Sequence, residues 1–177
     1  MKITLIRHTS VNVPQGICYG QTDVPLNDTF EEEAALVARN LQDERFDKVF
    51  VSPLSRCVRL ADYCGFSDAE RDDRIKEIHF GKWEMCRFED IFNDPKNKDW
   101  FNNFVRTTPP GGESFMMQYK RVSAFLDQLN EKEYKHVAVF AHGGVLICAK
   151  VYAGKLPLEE AFKEIPPYGG IITIDKH

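Results

Sequence analysis

Lys2-Ile3-Thr4-Leu5-Ile6-Arg7-His8-Thr9 is an apolar run that ends abruptly in an arginine and a histidine. Ile3 to Ile6 are β-compatible and suit a buried strand, and two side chains that are costly to bury follow with no spacer. Ligands of an open α/β sheet bind at the carboxyl ends of its strands, so this placement makes Arg7 and His8 candidate reactive groups. The pattern recurs. Lys48-Val49-Phe50-Val51 is a second short apolar run, closed by Ser52-Pro53-Leu54-Ser55-Arg56, and a proline suits the first turn of a helix, which puts Arg56 in the first turn of a helix running to about Cys64. His136-Val137-Ala138-Val139-Phe140-Ala141 is a third, and its end carries His142-Gly143-Gly144 before a helical run to Tyr152.

The segments between these strands follow from the same rules. Residues 9 to 28 hold Pro14, Gly16, Gly20, Asp23, Pro25 and Asn27, too many breakers for a regular element, while Ile17, Tyr19, Val24 and Leu26 argue for a packed, substrate-facing loop. Asp28 with Glu31 three residues on predicts a helix start, and Phe30, Ala34, Val37, Ala38 and Leu41 share one face of a helix ending near Glu44. Arg74-Ile75-Lys76 reads as a brief strand. Glu77-Ile78-His79-Phe80-Gly81-Lys82-Trp83-Glu84 sets two carboxylates among aromatic residues, where desolvation raises a carboxyl group's proton affinity. Residues 87 to 104 are helical but interrupted at Pro95, and a Pro/Gly loop runs from Thr107 to Gly112; together, about 87 to 112, they predict a helical excursion folded over the site. Glu113 opens a helix with Phe115, Met116, Tyr119, Val122, Phe125, Leu126 and Leu129 on its apolar stripe. A short helix over 158 to 164 and a closing strand from Gly170 to Ile174 complete a single domain, 1 to 177.

Composition narrows the function classes. Charged residues are 28% of the 177, hydrophobic residues 43%, and the net charge is -4, which argues against disorder, a membrane span or a polyanion-binding surface. Neither nucleic acid nor membrane is an expected partner. No basic stretch followed by an apolar one precedes Ile3, so a cytoplasmic location is expected. The five cysteines form an odd set without a C-x-x-C pair and read as reduced, structural thiols.

Three strand ends delivering Arg7-His8, Arg56 and His142 converge on one edge of a sheet with crossover connections. A phosphate monoester carries about two negative charges near neutral pH, which guanidinium forks grip bidentately. A histidine attacking phosphorus must be neutral at the attacking nitrogen, with the other nitrogen donating to a backbone carbonyl. His8 suits that role, and Arg7 and Arg56 the cradle. The leaving alkoxide needs a proton, for which Glu77 is the first candidate and Glu84 the weaker one. Gly143 and Gly144 let backbone amides approach a phosphate at a helix N-terminus. Glu113 serves equally well as a helix-terminal carboxylate. His79, His136 and His177 have no partners at metal-ligand spacing, and no metal or other cofactor is called for. The signatures of other phosphate chemistries are missing: no G-x-x-x-x-G-K-[ST] loop, no cysteine followed six residues later by arginine, no D-x-D run.

Leu5-Ile6-Arg7-His8-Thr9 resembles the arginine-histidine-glycine signature of the histidine phosphatase (phosphoglycerate mutase-like) superfamily. Ser52 to Cys57 resembles its second-arginine motif, Glu77 to Glu84 its acid-bearing segment, Pro110 to Ser114 a segment of its phosphatase branch, and Ala141 to Gly144 its second-histidine motif. The resemblance implies a three-layer α/β/α sandwich with a mostly parallel central sheet, a phosphohistidine on His8, phosphate contacts from Arg7, Arg56 and His142, and Glu77 as proton donor. Cys18 to Leu26 is similar to the loop of α-ribazole phosphatases, which implies substrate contacts from Tyr19 and Gln21 and a substrate such as α-ribazole phosphate or adenosylcobalamin phosphate. The family's phosphate-binding asparagine maps onto Asn12. Thr9 stands where many relatives have glycine, as does Met85. The expected reaction is hydrolysis of a small-molecule phosphate monoester; the alternatives are a broad-specificity phosphatase, a mutase-type phosphotransferase, and a phospho-ligand binding protein without turnover.

Overall fold

The computed structural model describes residues 1–176; His177 lies outside them. Its sheet has five strands in the order β3-β2-β4-β1-β5, where β1 is Lys2–Arg7, β2 Lys48–Val51, β3 Glu70–Arg71, β4 His136–Ala141 and β5 Ile171–Asp175. The β3-β2, β2-β4 and β4-β1 pairings are parallel, and β5 runs antiparallel at the edge. Helices α1 (Phe30–Leu41) and α2 (Ser55–Tyr63) cover one face; α5 (Phe115–Asn130) and α6 (Gly143–Tyr152) cover the other. This is a three-layer α/β/α arrangement around a mostly parallel sheet.

The strands are apolar nearly throughout because both faces are buried. Along β4, Val137 and Val139 pack with Phe125, Leu126, Leu146 and Ile147, while Ala138 and Phe140 pack on the other side with Val37, Leu41 and Leu60. Burying such a side chain fully contributes about 1.5–3 kcal/mol. Register then sets the site. Arg7 pairs with Ala141 and Val51 with Phe140, so His8, His142 and Ser52 leave the sheet side by side at one edge.

Several local expectations are corrected. The α1 N-cap is Thr29 rather than Asp28, and its hydroxyl donates to Glu33 instead of capping the helix. Arg74-Ile75-Lys76 is not a strand: the Asp72 carboxylate accepts from the Arg74 amide and turns 73–75 into a 3-10 helix, leaving only Glu70–Arg71 to pair with β2. Ser114, not Glu113, caps α5, its hydroxyl accepting from the Met117 amide at 3.2 Å. The excursion forms α3 (Phe88–Asn93), a 3-10 turn at Pro95–Asn97 and α4 (Lys98–Asn102). Its Trp100 packs against Phe80 and Trp83. Met85 adopts φ +66°, the left-handed region. Among the described residues no helix is long and apolar enough to cross a membrane.

Candidate active site

His8 follows β1 directly and is buried, its backbone amide continuing the ladder to Ala141 O at 3.1 Å. Its Nδ1 lies 2.7 Å from Thr9 O, so the proton sits on Nδ1 and the lone pair is at Nε2. Burial, and then the Arg56 charge, push its pKa down to about 3, against a smaller upward pull from the Thr9 carbonyl and with a further downward push from Arg7. The imidazole is neutral at physiological pH. His142, fully buried at the N-terminus of α6, packs edge-on against His8 with ring centroids 5.2 Å apart. Its Nε2 meets Ser52 Oγ at 2.8 Å, and burial followed by the Arg56 charge holds it well below the usual imidazole range. Cys57 touches the same ring, Sγ 3.5 Å from Nε2, but burial pushes its thiol up to about 12, which leaves it no nucleophile.

Arg56 is completely buried in the first turn of α2, where Pro53 and the N-terminal turn place it. Its terminal nitrogens donate to the carbonyls of Thr22 and Gly20. Those carbonyls are fixed because Glu84 accepts from the amides of Gly20, Gln21 and Thr22, at 2.6 to 3.1 Å. Glu84 therefore anchors the loop. Arg7 donates through Nη1 to Pro166 O at 2.6 Å and lies 4.1 Å from the Tyr168 ring centroid. The Nε–H groups of both arginines are buried with no hydrogen-bond partner among the described residues. Two charged donors without an acceptor among the described residues thus stand near one neutral imidazole, and a buried donor left so costs about 1–3 kcal/mol.

Glu77 reaches the same place from the segment after the 3-10 turn. Its Oε1 accepts from the Ile78 amide at 2.8 Å and Gln118 Nε2 at 2.9 Å, and its Oε2 from the Gly144 amide at 3.1 Å. Amide donors, rather than the aromatic rings expected from Phe80 and Trp83, meet its oxygens. Arg121 holds the backbone in register, donating to the carbonyls of Arg74, Lys76 and Glu77, and is itself paired with Glu113. Gly144 is needed here for space: a Cβ would overlap Glu77 Oε1.

A cleft of about 90 Å³ is bounded by Arg7, Tyr19, Glu77, Gly143 and Gly144, with Ile78, Phe80, Phe162 and Ile165 as its apolar wall. Larger surface hollows lie elsewhere, one of about 290 Å³ between Phe50, Arg74 and Phe125, and gather no comparable constellation of reactive groups. Tyr19 thus reaches the cleft. Gln21 instead donates to Glu77 O at 3.2 Å, and Asn12 is exposed, its amide bonded to Pro25 O. Ser52, Gln118 and Tyr168 escaped the sequence reading. Only the strand-end position of Ser52 hinted at its place. His79 accepts from the Gly81 amide, and His136 pairs with Thr4. Among the described residues no three His, Cys, Asp or Glu side chains gather where they could hold a metal.

A buried neutral histidine framed by guanidinium groups at the carboxyl edge of a parallel sheet is the arrangement of an enzyme class that handles phosphoryl groups. The chain belongs to the histidine phosphatase superfamily (branch 1), whose family model matches residues 3–176. The protein named "Phosphoserine phosphatase 1" from Hydrogenobacter thermophilus is 28% identical over 145 residues, 78% of this chain and 69% of its own. "Probable phosphoglycerate mutase GpmB" from Yersinia enterocolitica is 29% identical over 141 residues, 74% of this chain and 64% of its own. The crystal structure of the α-ribazole phosphatase from Shigella flexneri superposes with a TM-score of 0.90 at 26% identity, covering 100% of this chain and 91% of that one.

Proposed function

We propose that this chain is a phosphomonoesterase in which His8 attacks phosphorus. The observation that carries this reading is the pairing of a neutral, Nδ1-anchored imidazole with two guanidinium Nε–H groups that no acceptor among the described residues uses. Phosphoryl oxygens would accept from Arg7, Arg56 and the first-turn amide of α6 at Gly143, which neutralises the charge that repels an incoming nucleophile. His8 Nε2 forms the N–P bond as the ester P–O bond breaks, and Glu77 gives its proton to the departing alkoxide. Water then attacks the phosphohistidine, Glu77 takes that proton back, and inorganic phosphate leaves with the imidazole neutral again. His142, held by Ser52 and packed against His8, would add a contact to the phosphoryl group. The reading calls for no metal, since the arginines supply the positive charge.

Among phosphomonoesters, we favour α-ribazole phosphate or the adenosylcobalamin phosphate of cobalamin nucleotide-loop assembly. Support comes from the structural likeness to the Shigella flexneri enzyme and from the cleft wall, where Ile78, Phe80, Phe162 and Ile165 suit a planar apolar group. Arg7 is the sole cation of that lining, so a substrate carboxylate would find no second cation there. Phosphoserine phosphatase and mutase activities, suggested by the names of the sequence relatives, both require such a carboxylate to be held. The test is kcat/KM across α-ribazole phosphate, phosphoserine, phosphoglycerates, sugar phosphates and nucleotides. α-Ribazole phosphate is expected to lead; a higher value for phosphoserine, or interconversion of phosphoglycerates, overturns the assignment.

A further inference from the structure

Nothing in the strand-end logic points to Tyr168, yet its loop, residues 166–170, is bound to the Arg7-His8 turn at four places. The Arg7 amide donates to Gly170 O and the Gly169 amide to His8 O, each at 2.9 Å. Pro166 O accepts from Arg7 Nη1 at 2.6 Å, and the Tyr168 ring lies over the guanidinium with 4.1 Å between centroid and Cζ. Gly143 lies against the same guanidinium, where an added Cβ would come within 3.2 Å of Arg7 Nε and 3.3 Å of Cζ. One planar group thus has an aromatic ring and a glycine in close contact with it. Its plane fixes the direction of the unpaired Nε–H, and an anion reads that direction.

The contact continues across the cleft mouth. Tyr168 Oη is 3.2 Å from Tyr19 Oη, and the Tyr19 ring faces Arg56 with 5.5 Å between centroid and Cζ. Each guanidinium therefore has its own tyrosine, and the two hydroxyls meet. The His8 ring lies 5.7 Å from that of Tyr168. We propose that Tyr168 is a positioning residue for the anion site: its ring, over the guanidinium that Gly143 also touches, holds Arg7 in the plane that presents Nε–H to an anion. The proposal deepens the phosphomonoesterase reading and rests on it for the identity of the anion.

Tyr168 is 41% exposed, so shortening it opens no core cavity and the variants are expected to fold. The test is calorimetric titration of the enzyme and of Tyr168→Phe, Tyr168→Trp and Tyr168→Leu with inorganic phosphate, alongside steady-state hydrolysis of p-nitrophenyl phosphate. Losing a cation–π contact of this geometry weakens phosphate binding about three- to tenfold in Tyr168→Leu, while Phe and Trp, which keep a ring over the guanidinium, stay within about twofold. The same ranking is expected in KM, with kcat changed less. Equal phosphate affinity in Leu and wild type overturns the clamp, as does an equal loss in Phe and Leu, which would assign the effect to the hydroxyl. Phosphate binding is measured without turnover. An enzyme that hydrolyses nothing but binds phosphate in the order Tyr, Phe and Trp above Leu would refute the proposed reaction and leave the clamp standing.

Discussion

Acid should destabilise this protein through His8, and the size of the effect follows from its burial. The imidazole has a pKa of about 3 in the folded chain, against an ordinary value of about 6.5 in the unfolded one. Between those values the unfolded chain binds a proton that the folded chain refuses, so stability rises with pH there and falls as pH drops from about 6.5 toward 3. At about 1.36 kcal/mol for each pH unit, moving from pH 7 to pH 5 costs about 2 kcal/mol from this residue alone. His142 acts in the same direction, and the charges facing His8 are those of Arg7 and Arg56. In His8→Asn the side-chain nitrogen stands where Nδ1 was and can still donate to Thr9 O but has nothing to titrate, so about 2 kcal/mol of the acid sensitivity should vanish. Urea unfolding of both proteins at pH 7 and pH 5 reads this directly. Equal losses in the two would mean that His8 is protonated as easily folded as unfolded, and the description of a desolvated neutral nucleophile would be wrong.

Glu77→Gln keeps the amide contacts of one oxygen but cannot give a proton; hydrolysis of alkyl phosphates should fall about 100-fold or more, and that of p-nitrophenyl phosphate much less. Equal falls would remove Glu77 from the acid role. Gly144→Ala drives a methyl into Glu77 Oε1 and the Gln118 amide, so kcat should drop at least about tenfold while inorganic phosphate binds nearly as before; unchanged turnover would mean that the placement of Glu77 does not matter. Met85→Gly relieves a left-handed backbone worth about 1–2 kcal/mol and gives back about 0.4–1 kcal/mol in unfolded-chain entropy, a net gain of about 0.5–1 kcal/mol in urea unfolding. A loss of stability would show that the side chain matters more than the strain.

The strand ends were legible because such polar side chains are expensive to bury: Arg7, His8 and His142 come directly after apolar runs, and Arg56 follows its run through the short Ser52-Pro53-Leu54-Ser55 link. The parallel register turned that local pattern into one site, with Arg7 opposite Ala141 and Val51 opposite Phe140. What sequence periodicity could not carry was long-range polar pairing. Glu84 looked like a lesser acid and instead fixes the loop that holds Arg56; Glu113 looked like a cap and instead holds Arg121. Gln118 sits on the apolar face of α5, indistinguishable by spacing from a misplaced polar residue until Glu77 meets it. The 73–75 turn shows the same limit, since the Asp72 carboxylate, accepting from the Arg74 amide and guanidinium, outweighed the strand propensity of an isolated Ile75.

The most direct test is to find where the phosphoryl group goes. Enzyme mixed briefly with a labelled phosphomonoester and quenched in alkali should carry label on His8, stable to base and released by acid, with none retained by His8→Ala. Label on an aspartate or cysteine, or turnover undiminished in His8→Ala, would contradict the assignment of His8 as the nucleophile.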